Sequence, residues 1–171
     1  MLATSQSWDA QAGIMEEVKL AAGSVRTLVY PSIGHAELGR LLRKHGYDAE
    51  AIEEDGRRGY RTLSQPRFTA WLQTPFPGRP GEFAAVFLWA ALILPASVSA
   101  EVIQAMRLKT MHAHLHMNPH GRLLATYTLV VSGGITEYYL RNQLWHWMRD
   151  LECIHIEMRR QLRLVLGQPV H

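Results

Sequence analysis

The chain holds a single cysteine, Cys153, so no disulfide can form within it. It also lacks a long apolar run. The longest, Phe83 to Ala96, is interrupted only by Pro95 and falls short of the roughly 20 residues that cross a bilayer. No dense block of Lys and Arg occurs, and adjacent basic residues such as Arg57-Arg58 and Arg159-Arg160 are short pairs. A pI near 9.2 would permit contact with nucleic acid or anionic lipid without implying either, and neither nucleic acid nor membrane is expected as a partner. The first residues, MLATSQSWDAQAG, have no basic stretch followed by an apolar one, so a secretory signal is not expected. Gly-x-Ser-x-Gly, Gly-rich phosphate loops and Cys-x-x-Cys are missing as well. These absences point to a cytoplasmic protein that is not an enzyme and needs no cofactor.

What is present is ordinary globular material. The 171 residues are 47% hydrophobic and 19% charged, with a net charge of +3, enough for one domain with a real core. The most legible stretch is Met111 to Val131. Asn118-Pro119-His120-Gly121 has turn chemistry, with Asn at the first position, Pro presetting the second and Gly at the fourth. A three-residue hairpin connection with a left-handed Gly121 sets Asn118 opposite Arg122 and Met117 opposite Leu123. Side chains alternate along a strand, so Ala113, Leu115, Met117, Leu123, Ala125, Tyr127 and Leu129 form one face, expected to be core. His112, His114, His116, Arg122, Leu124, Thr126 and Thr128 form the other. A one-residue slip would mix the two sets, which favours the shorter loop.

The same reading extends along the chain. Residues 1–30 suit an N-terminal arm or a short helix carrying Ile14, Met15, Val18 and Ala21. Pro31-Ser32 opens a helix running to about His45, with Leu38, Leu41 and Leu42 inward and Gly46 ending it. Candidate strands follow at Ala49–Glu53, Tyr60–Ser64 and Arg67–Thr74. Glu82–Leu94 is apolar on both faces. Periodicity alone allows a buried helix there, but its aromatics, the preceding turn-rich loop and Pro95 favour a central strand. Such a strand needs cover on both faces. Helices can supply one, and a second subunit or the N-terminal arm the other, so a homodimer is expected. Val98–Lys109 reads as a helix. Thr136 can cap a last helix in which Leu140, Leu144, Met148, Leu151, Ile154, Met158, Leu162 and Val165 recur at three and four, out to about Leu166. The fold class expected is α+β, an antiparallel sheet packed by helices in the order α-β-β-β-α-β-β-α, with a long C-terminal helix.

That order, the apolar strand Phe83–Leu94 ending at a proline before a short helix, and the pattern N-x-x-G-R-L before the final helix together resemble the YbjN family of bacterial proteins. The resemblance covers residues 31–167, with residues 168–171 as a tail. It implies a fold similar to that of type III secretion chaperones and a role as a regulator, described for bacterial sensory transduction. It implies a protein-binding module in the bacterial cytoplasm with no family active site to carry over. Two features depart from the pattern: secretion chaperones are typically acidic, whereas this chain is basic, and the first thirty residues lie outside the likeness.

Several groups of residues could carry function. The aromatics Trp145, Trp147 and Tyr138 of the last helix, with Phe87 and Trp89 of the two-faced strand, are candidates for a partner or dimer contact, since aromatic anchors are enriched at contact hot spots. Core packing is the plainer role for them. His112, His114 and His116 project together from one strand, with His120 in the adjacent turn. Imidazoles two residues apart could share a metal ion, giving a metal-binding protein or metal-dependent enzyme as the alternative function. The plainer role is a polar sheet face. Glu152 and His155 form Glu-x-x-His, which di-iron bundles use twice and this chain has once. His146 and Asp150 suit a local polar pair, and Cys153 a small buried thiol.

Overall fold

The computed structural model of the chain describes residues 16–18, 27–92 and 98–165. The element order is β1 (Glu16–Val18), β2 (Thr27–Tyr30), β3 (Ile33–Gly34), α1 (His35–Lys44), β4 (Ala49–Glu54), β5 (Arg57–Thr62), β6 (Thr69–Pro75), β7 (Glu82–Leu92), α2 (Ala100–Lys109), β8 (His114–Met117), β9 (Leu123–Val130), β10 (Ile135–Thr136) and α3 (Glu137–Val165). The fold is α+β as expected, an antiparallel sheet packed by helices with a long C-terminal helix, and four strands, β4 to β7, lie between α1 and α2 where the expected order counted three. The main sheet runs β4-β5-β6-β7-β9-β8, all antiparallel, with the short β3 added against β7. A second, three-stranded sheet runs β1-β2-β10. Among the described residues no helix is long and apolar enough to cross a membrane.

The hairpin has the register its turn dictates. Met117 pairs with Leu123, and the Asn118 N–H donates to the Arg122 carbonyl at 2.9 Å. The Asn118 Oδ1 accepts from the N–H groups of His120 at 3.0 Å and Arg122 at 2.8 Å, and Gly121 takes a φ of 72°, which a side chain would resist. Leu115, Leu123, Ala125 and Leu129 are buried, while Met117, at the tip, is exposed.

β7 is the centre of the sheet, paired with β6 on one side and β9 on the other. Its even-numbered side chains, Val86, Leu88, Ala90 and Leu92, join Leu38, Leu41 and Leu42 of α1, Met106 of α2 and Leu140, Leu144, Leu151 and Ile154 of α3 in one hydrophobic core. All three helices therefore lie on the same face of the sheet. The seat of α1 is tight: a Cβ on Gly39 would come within 2.3 Å of the Tyr60 ring, which stacks on His35. The two-residue turn Asp55-Gly56 extends the β4–β5 pairing to Glu54↔Arg57, further than the sequence pattern reached.

Two expectations for the N-terminal part are corrected. Glu16–Val18 is extended rather than helical, because it pairs with Thr27–Val29, and Thr27–Tyr30 in turn pairs with Ile135–Thr136 at the entry to α3. The helix expected from Pro31 starts at His35, because Ile33 and Gly34 are held against Phe83 and Glu82. Residues 1–15 and 19–26, where most of the arm was placed, lie outside the described residues, as do Ile93 and Leu94 and the tail beyond Val165. α3 is capped as expected, with the Thr136 Oγ1 accepting from the Tyr139 N–H at 3.1 Å. Its 29 residues span about 44 Å. The apolar stripe is buried at Leu140, Leu144, Leu151 and Ile154, partly buried at Met148 and Met158, and exposed at Leu162.

Candidate functional site

The loop into β8 is tied to α3 by one carboxylate. Asp150, only 3% exposed, accepts the backbone N–H groups of Met111 at 3.1 Å, His112 at 2.7 Å and Ala113 at 2.8 Å. Charge-assisted bonds of this kind are roughly twice as strong as neutral ones. This clamp sets the direction of His112. With its backbone drawn under α3, the ring stacks on His146 at 4.7 Å and meets Tyr127 edge-on at 5.5 Å. Its Nδ1 is buried and finds no partner among the described residues.

His114 and His116 instead lie exposed on edge strand β8. The three histidines thus do not converge on one point. Regular alternation begins only at His114. Among the described residues, no group of three or more His, Cys, Asp or Glu side chains is placed to hold a metal ion. The expected His146–Asp150 pair gives way to the Asp150 clamp.

The five aromatic contact candidates fall in three places. Trp147 is 0% exposed and belongs to the core, edge-on to Phe68 at 6.1 Å, so it offers nothing to a partner. It lies seven residues after Leu140 and four before Leu151, in phase with the buried stripe. Tyr138 and Trp145 lie on the outward side of α3, at 65% and 56% exposure. The Arg141 guanidinium sits 5.3 Å from the Tyr138 ring centre, and that of Arg149 lies 5.7 Å from Trp145. Further along α3, Glu152, His155, Ile156 and Arg159 line a pocket of about 360 Å³ with Gln65 and Pro66 of the β5–β6 turn. His155 donates its Nδ1–H to the Leu151 carbonyl at 2.8 Å, which leaves Nε2 as an acceptor. The pocket was not legible in the sequence, because Pro66 and Ile156 are ninety residues apart. Cys153, beside it on the helix, is partly buried.

Phe87 and Trp89 lie on the opposite side of the molecule, on the sheet face that carries no described helix. The register builds the row Ile52–Gly59–Trp71–Phe87–Thr128, and beside it Glu50–Arg61–Thr69–Trp89–Thr126–His114. Trp71 is 3% exposed yet lies outside the helix-covered core; the Arg57 guanidinium sits 5.3 Å from its ring. Phe87, Trp89 and Leu124 are partly buried, and Val130 is exposed. Sequence reasoning missed Trp71, although its alternation with Thr69 and Gln73 assigns it to this face. The charges here balance: Arg61 pairs with Glu54 at 2.6 Å and reaches Glu50 at 3.9 Å, and Arg57, over the Trp71 ring, supplies the second cation.

No protein-family model matches the chain, and no curated protein matches it.

Polar networks brace the helices. Burial, then the Glu37 charge, pushes the Tyr30 phenol up to about 12, and Arg40 holds both Tyr30, at 3.0 Å, and Glu37, at 2.6 Å. The Lys44 ammonium beside Glu137 holds that carboxyl below its usual range. Burial pushes the His45 imidazole below its ordinary value, and its Nε2 has no hydrogen-bond partner among the described residues. Glu157, buried between α2 and α3, accepts from Gln161 at 3.0 Å, Lys109 at 2.9 Å and Arg160 at 3.2 Å, which lowers its pKa.

Proposed function

We propose that this chain is a non-enzymatic protein-binding module, a small regulator or chaperone-like adaptor, that works as a homodimer joined through the sheet face opposite its helices. The observation that carries the reading is the pair of half-buried aromatics Phe87 and Trp89, beside the buried Trp71, on the face opposite the helices. Phe87 and Trp89, beside the matched charges of Glu50, Glu54, Arg57 and Arg61, suit an identical pair turned about a two-fold axis, since no net charge opposes the approach. The order of elements supports the same reading through its resemblance to the YbjN family and the secretion-chaperone fold, and that resemblance suggests a bacterial cytoplasmic setting. Light scattering on the full chain tests the proposal. The expected particle has twice the 19.4 kDa of one chain, and Trp89→Asp splits it. A wild-type chain that scatters as a monomer across its soluble range would overturn the homodimer.

A further inference from the structure

We infer that the outward side of α3, with the pocket beside it, is a docking surface for an acidic amphipathic helix of another protein. The inference rests on the protein-binding reading but concerns the face opposite the proposed dimer contact. Tyr138, Trp145 and Ile156 are seven and eighteen residues along from the first, so at 100° per residue they fall within about 20° of one another, over roughly 27 Å. All three are more than half exposed. The row is apolar at intervals, as long as a five-turn helix, and ends at the pocket. There Pro66 and Ile156 supply apolar wall and His155 a polar one. A side chain from a partner helix has a place to anchor.

The charge on this face names the partner. Carboxylates elsewhere are taken: Glu53 by Arg58, Glu54 by Arg61, Glu82 by Arg79, Glu137 by Lys44, and Glu157 by Lys109 and Arg160. Arg141, Arg149, Arg159 and Arg163 hold no acidic partner among the described residues; Arg149 and Arg163 fall within the row, and Arg141 and Arg159 lie along one side of it. A second copy does not fit, because turning this face on itself sets arginine against arginine. A nucleic acid fits less well than a protein. Tyr138 and Trp145 offer rings, but phosphates would pass Glu152 beside the row, and its far end, Ile156 and Pro66, has no ring on which a base could stack. A helix can place carboxylates opposite the four arginines and leave an uncharged or basic residue at Glu152. Trp, Tyr and Arg are also the residues that dominate binding energy at protein contacts, and an amphipathic helix reads such a surface through anchors at i, i+3, i+4 and i+7.

Peptide display against the immobilised full chain tests this, using random peptides of about 18 residues, enough for five turns. The expected winners are acidic, with apolar residues at helical spacing. The strongest, made synthetically, should bind at least about tenfold more weakly to Trp145→Ala and to Arg149→Glu, with Arg122→Glu on the far hairpin as the unchanged control. Both test positions are exposed, and thermal melting checks that the variants keep the fold. Oligothymidylate is titrated in parallel. Winners without net negative charge, winners indifferent to Trp145→Ala, no enrichment over the bare support, or tighter binding of oligothymidylate each overturn the inference. Non-acidic winners that bind elsewhere would leave the binding-module reading standing, so the two failures are distinguishable.

Discussion

Replacing Asp150 with alanine removes three backbone hydrogen bonds at once. A bond to a charged group nets about 1.5–3 kcal/mol, so simple addition gives about 4.5–9 kcal/mol. Addition overshoots here, because Met111 is exposed and its N–H can turn to water. The cost comes from Ala113, buried at 7% exposure, and from the half-buried His112. Two such bonds at about 1.5–3 kcal/mol each make about 3–6 kcal/mol the expected loss for Asp150→Ala. In a chain of this size each kcal/mol shifts the melting midpoint by about 2–4 °C, so the variant should melt about 6–24 °C lower. Asp150→Asn keeps one acceptor but turns an amide N–H toward the remaining donors, and should lie between the two. Urea unfolding followed by far-ultraviolet circular dichroism measures the difference. Glu53→Gln is the control, since its pair with Arg58 at 3.2 Å is exposed and worth about 0–1 kcal/mol. An Asp150→Ala chain within about 1 kcal/mol of the parent would show that the carboxylate does not hold the loop.

Two further outcomes are expected. Gly39→Ala should destabilise by about 1–3 kcal/mol despite alanine's better helix propensity, because the new methyl meets the buried Tyr60 ring at 2.3 Å; a stabilised variant in urea unfolding would refute that seat for α1. Acid should act in two stages. The folded chain favours neutral His45, whose pKa lies below the unfolded value near 6.5, so stability present above about pH 6.5 is lost as pH falls toward the lower folded pKa. Glu157 is held charged, so its contribution is full above the unfolded value near 4.3 and disappears as pH falls through the lower folded one. His45→Gln should flatten the first stage and Glu157→Gln the second, read as the urea midpoint against pH. Identical profiles for parent and variants would sink both assignments.

The hairpin was legible because turn and pattern agree: Asn118 and Gly121 dictate the loop, and only one register keeps Leu115 and Ala125 on the buried side. The two-faced character of Phe83–Leu92 was equally plain. The short strands were not. Two to four residues carry too little period to read, and their partners lie far away, as Val29 does from Thr136. His112 was assigned by continuing an alternation beyond its first strand residue, where the Asp150 clamp takes over the backbone. Trp147 could have been placed in the core, since two residues of helix turn it about 200° from Trp145.

Local chemistry therefore determined the elements, their turns and most buried faces, because the terms involved act within a few residues. Tertiary structure alone decided which faces share a side of the molecule. All three helices gather on one side of the sheet, so Phe87 and Trp89 look one way while Tyr138 and Trp145 look the other. No window of sequence contains that fact, because it arises from pairing across the whole sheet and from which of two apolar faces of β7 the long helix covers.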